Sequence, residues 1–205
     1  PRMNNPLSPH HRRSIRLRDY DYTQSGLYFV TVCVNKRQPL LGNVIDGEMK
    51  LSDAGKMTEE LWNKLPEKFN EVFLDEYVIM PNHFHGIIGI DNNVGVDPCV
   101  NPDPCVNPIE QGRHTGLPLQ ENENVNMIEG LPRYIRWFKT MTTNKYIDGV
   151  NEKNWEPFYQ KLWQRNYFEH VVRNEKELSE IRKYIEINPI KWEDDEYNSF
   201  ENILK

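Results

Sequence analysis

The sequence predicts an α+β domain built around an antiparallel sheet, and three observations lead there. Gly26 to Val34 is aromatic and β-branched with apolar residues on both faces, as a central strand requires. Val78-Ile79-Met80-Pro81-Asn82-His83-Phe84-His85-Gly86-Ile87-Ile88 reads as strand, tight Pro-Asn turn and strand. Helix-spaced apolar residues recur near 52–65, 131–146 and 174–188 and separate the strand patterns.

The elements follow in order. Val44 to Leu51 is a small hairpin turning at Asp46-Gly47. Ser52 is the N-cap of a helix reaching about Leu65, with Met57, Leu61 and Leu65 on one stripe and Pro66 at its end. Val72 to Met80 and Phe84 to Ile90 are strands. Leu131-Pro132 opens the next helix, which runs to about Tyr146 on Ile135, Phe138 and Met141-Thr142. Phe158 to Trp163 is the predicted last strand, with Tyr167 to Val172 linking it to a final helix capped by Asn174 and packed through Leu178, Ile181 and Ile185. The resulting order is the ferredoxin-like βαββαβ arrangement plus a C-terminal helix, with the Gly26 and Phe84 strands at the centre of the sheet.

Composition narrows the function classes. No apolar run approaches the ~20 residues a membrane span needs, and the first residues lack the apolar core of a signal peptide. Cys33, Cys99 and Cys105 make neither a disulfide framework nor a Cys-x-x-Cys zinc knuckle. A cytoplasmic protein without a membrane partner is expected. The net charge of −6 comes from one place: residues 91–130 hold seven acids and Arg113 alone among bases, which is −6, so the rest sums to zero. That stretch contains the hexapeptide Asp97-Pro98-Cys99-Val100-Asn101-Pro102 twice in tandem and reads as an acidic low-complexity insertion. Residues 1–13 are expected to form a mobile basic arm and 14–205 a single domain.

Basic groups are local. Arg12, Arg13, Arg16 and Arg18 lie in a stretch without acids, and Arg133, Arg136 and Lys139 share one helix face with Tyr134 and Trp137 interleaved. Both patterns suit a phosphate backbone, with Trp163 available for base stacking; solvated faces and core packing explain them equally.

The candidate chemistry lies in two pairs. In a strand His83 and His85 point to one face and Phe84 to the other, so two imidazoles on a rigid surface make half of a metal site. Tyr184 and Asn188 stand four apart on the last helix, hence on one face, with Pro189 ending the helix. Each pair has a structural alternative: a satisfied core histidine, a half-buried tyrosine, a C-terminal cap.

Four stretches together resemble the REP-associated tyrosine transposases, a branch of the single-tyrosine HUH transposases of bacterial insertion sequences. They are Arg12-Arg13-Ser14-Ile15-Arg16-Leu17, Met80-Pro81-Asn82-His83-Phe84-His85-Gly86-Ile87-Ile88, Leu162-Trp163-Gln164-Arg165-Asn166-Tyr167-Phe168-Glu169-His170 and Tyr184-Ile185-Glu186-Ile187-Asn188-Pro189. The resemblance implies metal ligation by His83, His85 and Asn188, a divalent Mg²⁺ or Mn²⁺, and Tyr184 as nucleophile. It implies cleavage and rejoining of single-stranded DNA at REP-type hairpins through a 5′-phosphotyrosine, by a monomer or a homodimer. Arg165 joins the expected DNA contacts. The alternative is a non-cleaving module of the same fold that binds hairpins in DNA or RNA; a metal-dependent hydrolase without a covalent step is a third reading.

Overall fold

The computed structural model describes residues 20–92, 129–195 and 197–198. The predicted first strand forms as β1 (Gly26–Cys33), and the hairpin as β2 (Gly42–Ile45) and β3 (Glu48–Leu51). The hairpin turns on Asp46 and Gly47, both at positive φ (52° and 75°), the twist that a two-residue turn between right-twisted strands demands. Helix α1 (Asp53–Asn63) starts at Ser52, whose hydroxyl accepts from Gly55 N–H. The predicted helix does not continue to Leu65. Proline cannot donate to a helical ladder, and Pro66 sits instead in the first turn of a separate short helix, α2 (Leu65–Lys68).

Strands β4 (Val72–Met80) and β5 (His83–Ile90) meet across the two-residue Pro81-Asn82 turn. Both turn carbonyls are used: Pro81 O accepts from Leu41 N–H and Asn82 O from Val34 N–H. Helix α3 (Leu131–Lys153) runs two turns beyond the predicted end and stops at left-handed Asn154.

The last strand is the main correction. Phe158 to Trp163 forms no strand; Gln160 takes a positive φ (59°), and only Trp163 makes an isolated bridge, to Val34. The strand is β6 (Phe168–Val172), in the stretch expected to be a linker. Glu169 and His170 obscure its apolar pattern, which is tolerable because β6 is an edge strand with one neighbour. Helix α4 (Glu175–Ile187) follows, with the Asn174 side chain accepting from Glu177 N–H.

The sheet order is β4-β5-β1-β6, every neighbouring pair antiparallel, with β1 and β5 central as predicted. The fold class is therefore α+β with an antiparallel four-stranded sheet. Alternation splits its two faces. Phe84, Ile88 and Ile90 join Trp62 of α1 and Ile135 and Phe138 of α3 in the main core. Ile87 and Phe29 face the other way and pack under Leu178 and Ile185 of α4. Among the described residues no helix is long and apolar enough to cross a membrane. The basic arm and the 93–128 part of the acidic insertion lie outside the described residues.

Two glycines of β5 test this division. A Cβ on Gly86 would stand 2.7 Å from the Phe84 ring and 2.8 Å from Trp62, both fully buried. On Gly89 it would meet the Phe73 ring, which is 46% exposed and free to swing outward. Gly86→Ala is expected to lower unfolding free energy by about 1–3 kcal/mol in urea titrations, and Gly89→Ala by clearly less.

Candidate active site

The site sits on the α4 face of the sheet, where β5 begins. The register places Cys33 opposite His83 and Thr31 opposite His85 on β1, so all four side chains share that face. The two imidazole rings lie 4.5 Å apart, edge to face. Both are buried, His85 with 2% exposure.

Each ring is oriented by a neighbour. Asn82 donates its amide N–H to Tyr197 O (2.7 Å), so its Oδ1 is turned to His83 Nδ1 at 2.9 Å. An amide oxygen only accepts; Nδ1 therefore carries the proton and Nε2 the lone pair. That Nε2 is buried and has no hydrogen-bond partner among the described residues. His85 Nδ1 pairs with Thr31 Oγ1 at 2.8 Å, and Phe29 stacks on the ring at 5.4 Å. Its Nε2 meets the Tyr184 hydroxyl at 3.2 Å.

Desolvation keeps both rings neutral. Burial pushes His85 down to about 3. Burial, followed by His85 and Arg37, pushes His83 well below its ordinary value. A neutral imidazole is the form that binds a metal, so neither would have to shed a proton to do so.

Helix α4 brings the second pair. Leu178 and Ile185 bury its apolar side, and Arg182 clamps it to β4 through both oxygens of Asp75 (2.8 and 2.5 Å), at the irregularity between Leu74 and Tyr77. One turn separates Tyr184 from Asn188, and both line a cleft of about 280 Å³ with Lys191, Asp194 and Asp195. Tyr184 is 41% exposed and reachable from solvent. Asn188 is 2% exposed, and its Oδ1 is buried without a hydrogen-bond partner among the described residues. After Pro189 the chain turns back through a 3₁₀ segment, Trp192–Asp194, and lays Tyr197 against His83 at 4.5 Å, with the Arg37 guanidinium over Tyr197.

The donor set passes a chemical test for a divalent cation. Two acceptors, His83 Nε2 and Asn188 Oδ1, are buried and unmatched, a costly state unless something fills it. The second-neighbour bonds from Asn82 and Thr31 are those that fix metal-ligating histidines. Among the described residues no cluster of three His, Cys, Asp or Glu could hold a metal; the Asn188 amide oxygen is a candidate ligand of another type. The structure brings Tyr184 of the second pair to His85 of the first, as sequence reasoning expected, and adds two supports that it missed. Asn82 is signalled by adjacency to His83; Thr31 becomes visible only once the register is known.

The expected DNA contacts fare differently. Arg12, Arg13, Arg16 and Arg18 lie outside the described residues. Trp163 is no stacking platform: it is 4% exposed, and its indole N–H donates to Thr142 Oγ1 (2.7 Å). Tyr134 and Trp137 are likewise core, Tyr134 bonding Glu71. Lys139 donates to Gln164 O and Arg165 O, fastening that loop to α3, and burial lowers it to about 8. Arg133 lies over the Phe69 ring. Arg136 and Arg165 are exposed and line a larger cleft, about 950 Å³, between α3 and the 161–167 segment. That cleft lies on the α3 side and includes none of His83, His85, Tyr184 or Asn188.

Comparison with known proteins adds kinship. Over 187 residues, covering 91% of this chain and 93% of the other, the sequence is 40% identical to an uncharacterized protein of Haemophilus influenzae (strain ATCC 51907 / DSM 11121 / KW20 / Rd). The chain belongs to the family of that protein. No family model matches. The solved structure of a REP-associated tyrosine transposase bound to a REP hairpin is similar at 19% identity and a TM-score of 0.49, covering 86% of this chain and 73% of that one. A likeness at that level says nothing of activity.

Two predictions follow from the ring chemistry. The Tyr184 hydroxyl sits on His85 Nε2, the nitrogen that a metal at this site would use. Tyr184→Phe is therefore expected to bind Mn²⁺ at least as tightly as the unmodified chain in calorimetry, whereas His83→Ala and Asn188→Ala each weaken it at least tenfold. Second, the unfolded state takes up protons below pH ~6.5 that the buried native rings refuse, His85 until about pH 3. Metal-free stability should therefore fall as pH drops through that window, by up to about 1.4 kcal/mol per pH unit for each buried histidine. The slope should be shallower in His85→Leu, in chelator-containing denaturation series.

Proposed function

We propose that this chain cleaves and rejoins single-stranded DNA through a tyrosine nucleophile, as a transposase of the REP-associated kind. The observation that carries the reading is a solvent-reachable tyrosine hydroxyl that meets one of two adjacent, neutral, buried imidazoles and shares a cleft with Asn188, whose buried amide oxygen has no hydrogen-bond partner among the described residues. A pure binding module needs none of these, and a hydrolase activating water needs no tyrosine there.

In this reading the Tyr184 oxygen attacks phosphorus in line. The Tyr184 O–P bond forms and the bond to the 3′ oxygen breaks. The phenol loses its proton and the leaving oxygen gains one, so the step is balanced in atoms and charge. The phosphodiester energy is kept in the phosphotyrosine, and the reverse attack by a 3′-hydroxyl rejoins a strand without ATP. His83, His85 and Asn188 would hold a Mg²⁺ or Mn²⁺ ion, which when bound supplies stabilisation of charge on a non-bridging phosphate oxygen. Thr31 and Asn82 keep the rings in register, and the Asp75–Arg182 pair keeps α4, and with it Tyr184, at the sheet. A hairpin flanked by unpaired nucleotides is the substrate class.

The test is a library of single-stranded hairpins labelled on both sides of the expected cut, incubated with Mn²⁺ and run on a denaturing protein gel. A labelled protein band that disappears in Tyr184→Phe is the expected result. Cleavage that persists in the variant would assign a hydrolase. Hairpin binding with no cleavage and no adduct across several metals would assign the binding module.

A further inference from the structure

Tyr184 stands on a ridge between two clefts. One holds Asn188; the other, about 360 Å³, is lined by Phe29, Phe168, His170, Glu177, Glu180, Ile181 and Tyr184. We infer that this second cleft is a subsite for one unpaired nucleobase beside the reacting phosphate, and that it selects bases carrying an exocyclic amino group. The inference rests on the proposed function and extends it to residues that function does not require.

The register supplies the geometry. His85, Thr31 and Phe168 lie in one row across β5, β1 and β6, on the same face. Phe168 is thus two strand spacings from His85, about 10 Å. Its ring is 44% exposed and meets Phe29 edge to face at 6.4 Å; Phe29 in turn meets Tyr184 at 6.1 Å and stacks on His85. A planar ligand on Phe168 would complete an aromatic series ending at the metal-site imidazole. Lone exposed aromatics are ordinary; one beside a candidate nucleophile on a rigid strand is placed to orient what the nucleophile attacks.

Charge decides which part of a nucleotide enters. The lining contains no lysine or arginine and two carboxylates, so a phosphate would be repelled. Glu177 is occupied, bonding His170 Nε2 (2.6 Å) and Arg173 N–H (2.7 Å). Glu180 meets Lys176 only at 4.0 Å, leaving its carboxylate able to accept from a base. Cytosine, adenine and guanine offer an amino N–H; thymine does not.

The experiment measures fluorescence anisotropy of labelled dC8, dA8, dT8 and an abasic octamer with the full chain carrying Tyr184→Phe, in Mn²⁺. The abasic strand isolates backbone electrostatics. Binding of dC8 and dA8 is expected to exceed that of dT8 and the abasic strand. Adding Phe168→Ala or Phe168→Leu should weaken dC8 roughly 5- to 100-fold, toward the abasic level, while Phe168→Tyr retains it. The leucine variant keeps the apolar bulk and separates stacking from folding. Glu180→Gln should narrow the preference over dT8. Unchanged dC8 affinity in both Phe168 variants would overturn the subsite, even where the wild-type chain forms its Tyr184 adduct. A wild-type chain that forms no adduct with any hairpin overturns the parent reading and, with it, the subsite's place beside a reacting phosphate, whatever Phe168 does to octamer binding.

Discussion

Alternation along β5 is the constraint on which the rest depends. Odd positions His83, His85 and Ile87 turn to α4, while Phe84, Gly86 and Ile88 turn to the α1/α3 core. A slip of one residue would bury the imidazoles among Trp62 and Phe138 and expose phenylalanine at the site. The core therefore specifies the register, and the register specifies the site. Pairing with β4 on one side and β1 on the other leaves β5 no edge along which to slide, and the Pro81-Asn82 turn pins its start.

Polar groups at the site are held in tension with their surroundings. His83 Nδ1 is committed to Asn82, which leaves its other nitrogen with a lone pair in a dry place. Asn188 presents an unmatched oxygen at the end of α4, and Tyr184 shares His85 with any incoming cation. Nothing in packing alone favours such an arrangement; leaving buried acceptors unmatched lowers stability. The same features are what the proposed cation site beside a phenol would require. The helix that carries the phenol is fastened independently, by Asp75–Arg182 at one point and by Glu177 with His170 and Arg173 at its start.

Much of this was legible in the sequence because it is periodic. The central strands, the Asp46-Gly47 hairpin, the Ser52 and Asn174 caps and the β5 turn all carry local chemistry that survives folding. The pairs His83/His85 and Tyr184/Asn188 followed from the two periods, two and 3.6. What failed was whatever depended on distant partners. Phe158 to Trp163 has a strand-like composition but lies beside β1 with one bridge only, whereas Phe168–Val172 is polar in the middle and pairs fully. Lys139 and Trp163 looked like nucleic-acid contacts because type and spacing say nothing about burial; Lys139 instead donates to the 161–167 loop, and Trp163 of that loop turns its indole inward to Thr142. Thr31 had no local signal at all.

The central claim is that His83, His85 and Asn188 form one cation site next to Tyr184. Anomalous diffraction from crystals soaked in Mn²⁺ tests it most directly. The account predicts a single strong peak within bonding distance of His83 Nε2, His85 Nε2 and Asn188 Oδ1, with the Tyr184 hydroxyl displaced from His85. A peak at Asp194 and Asp195 instead, or none at the histidines at saturating Mn²⁺, would contradict it.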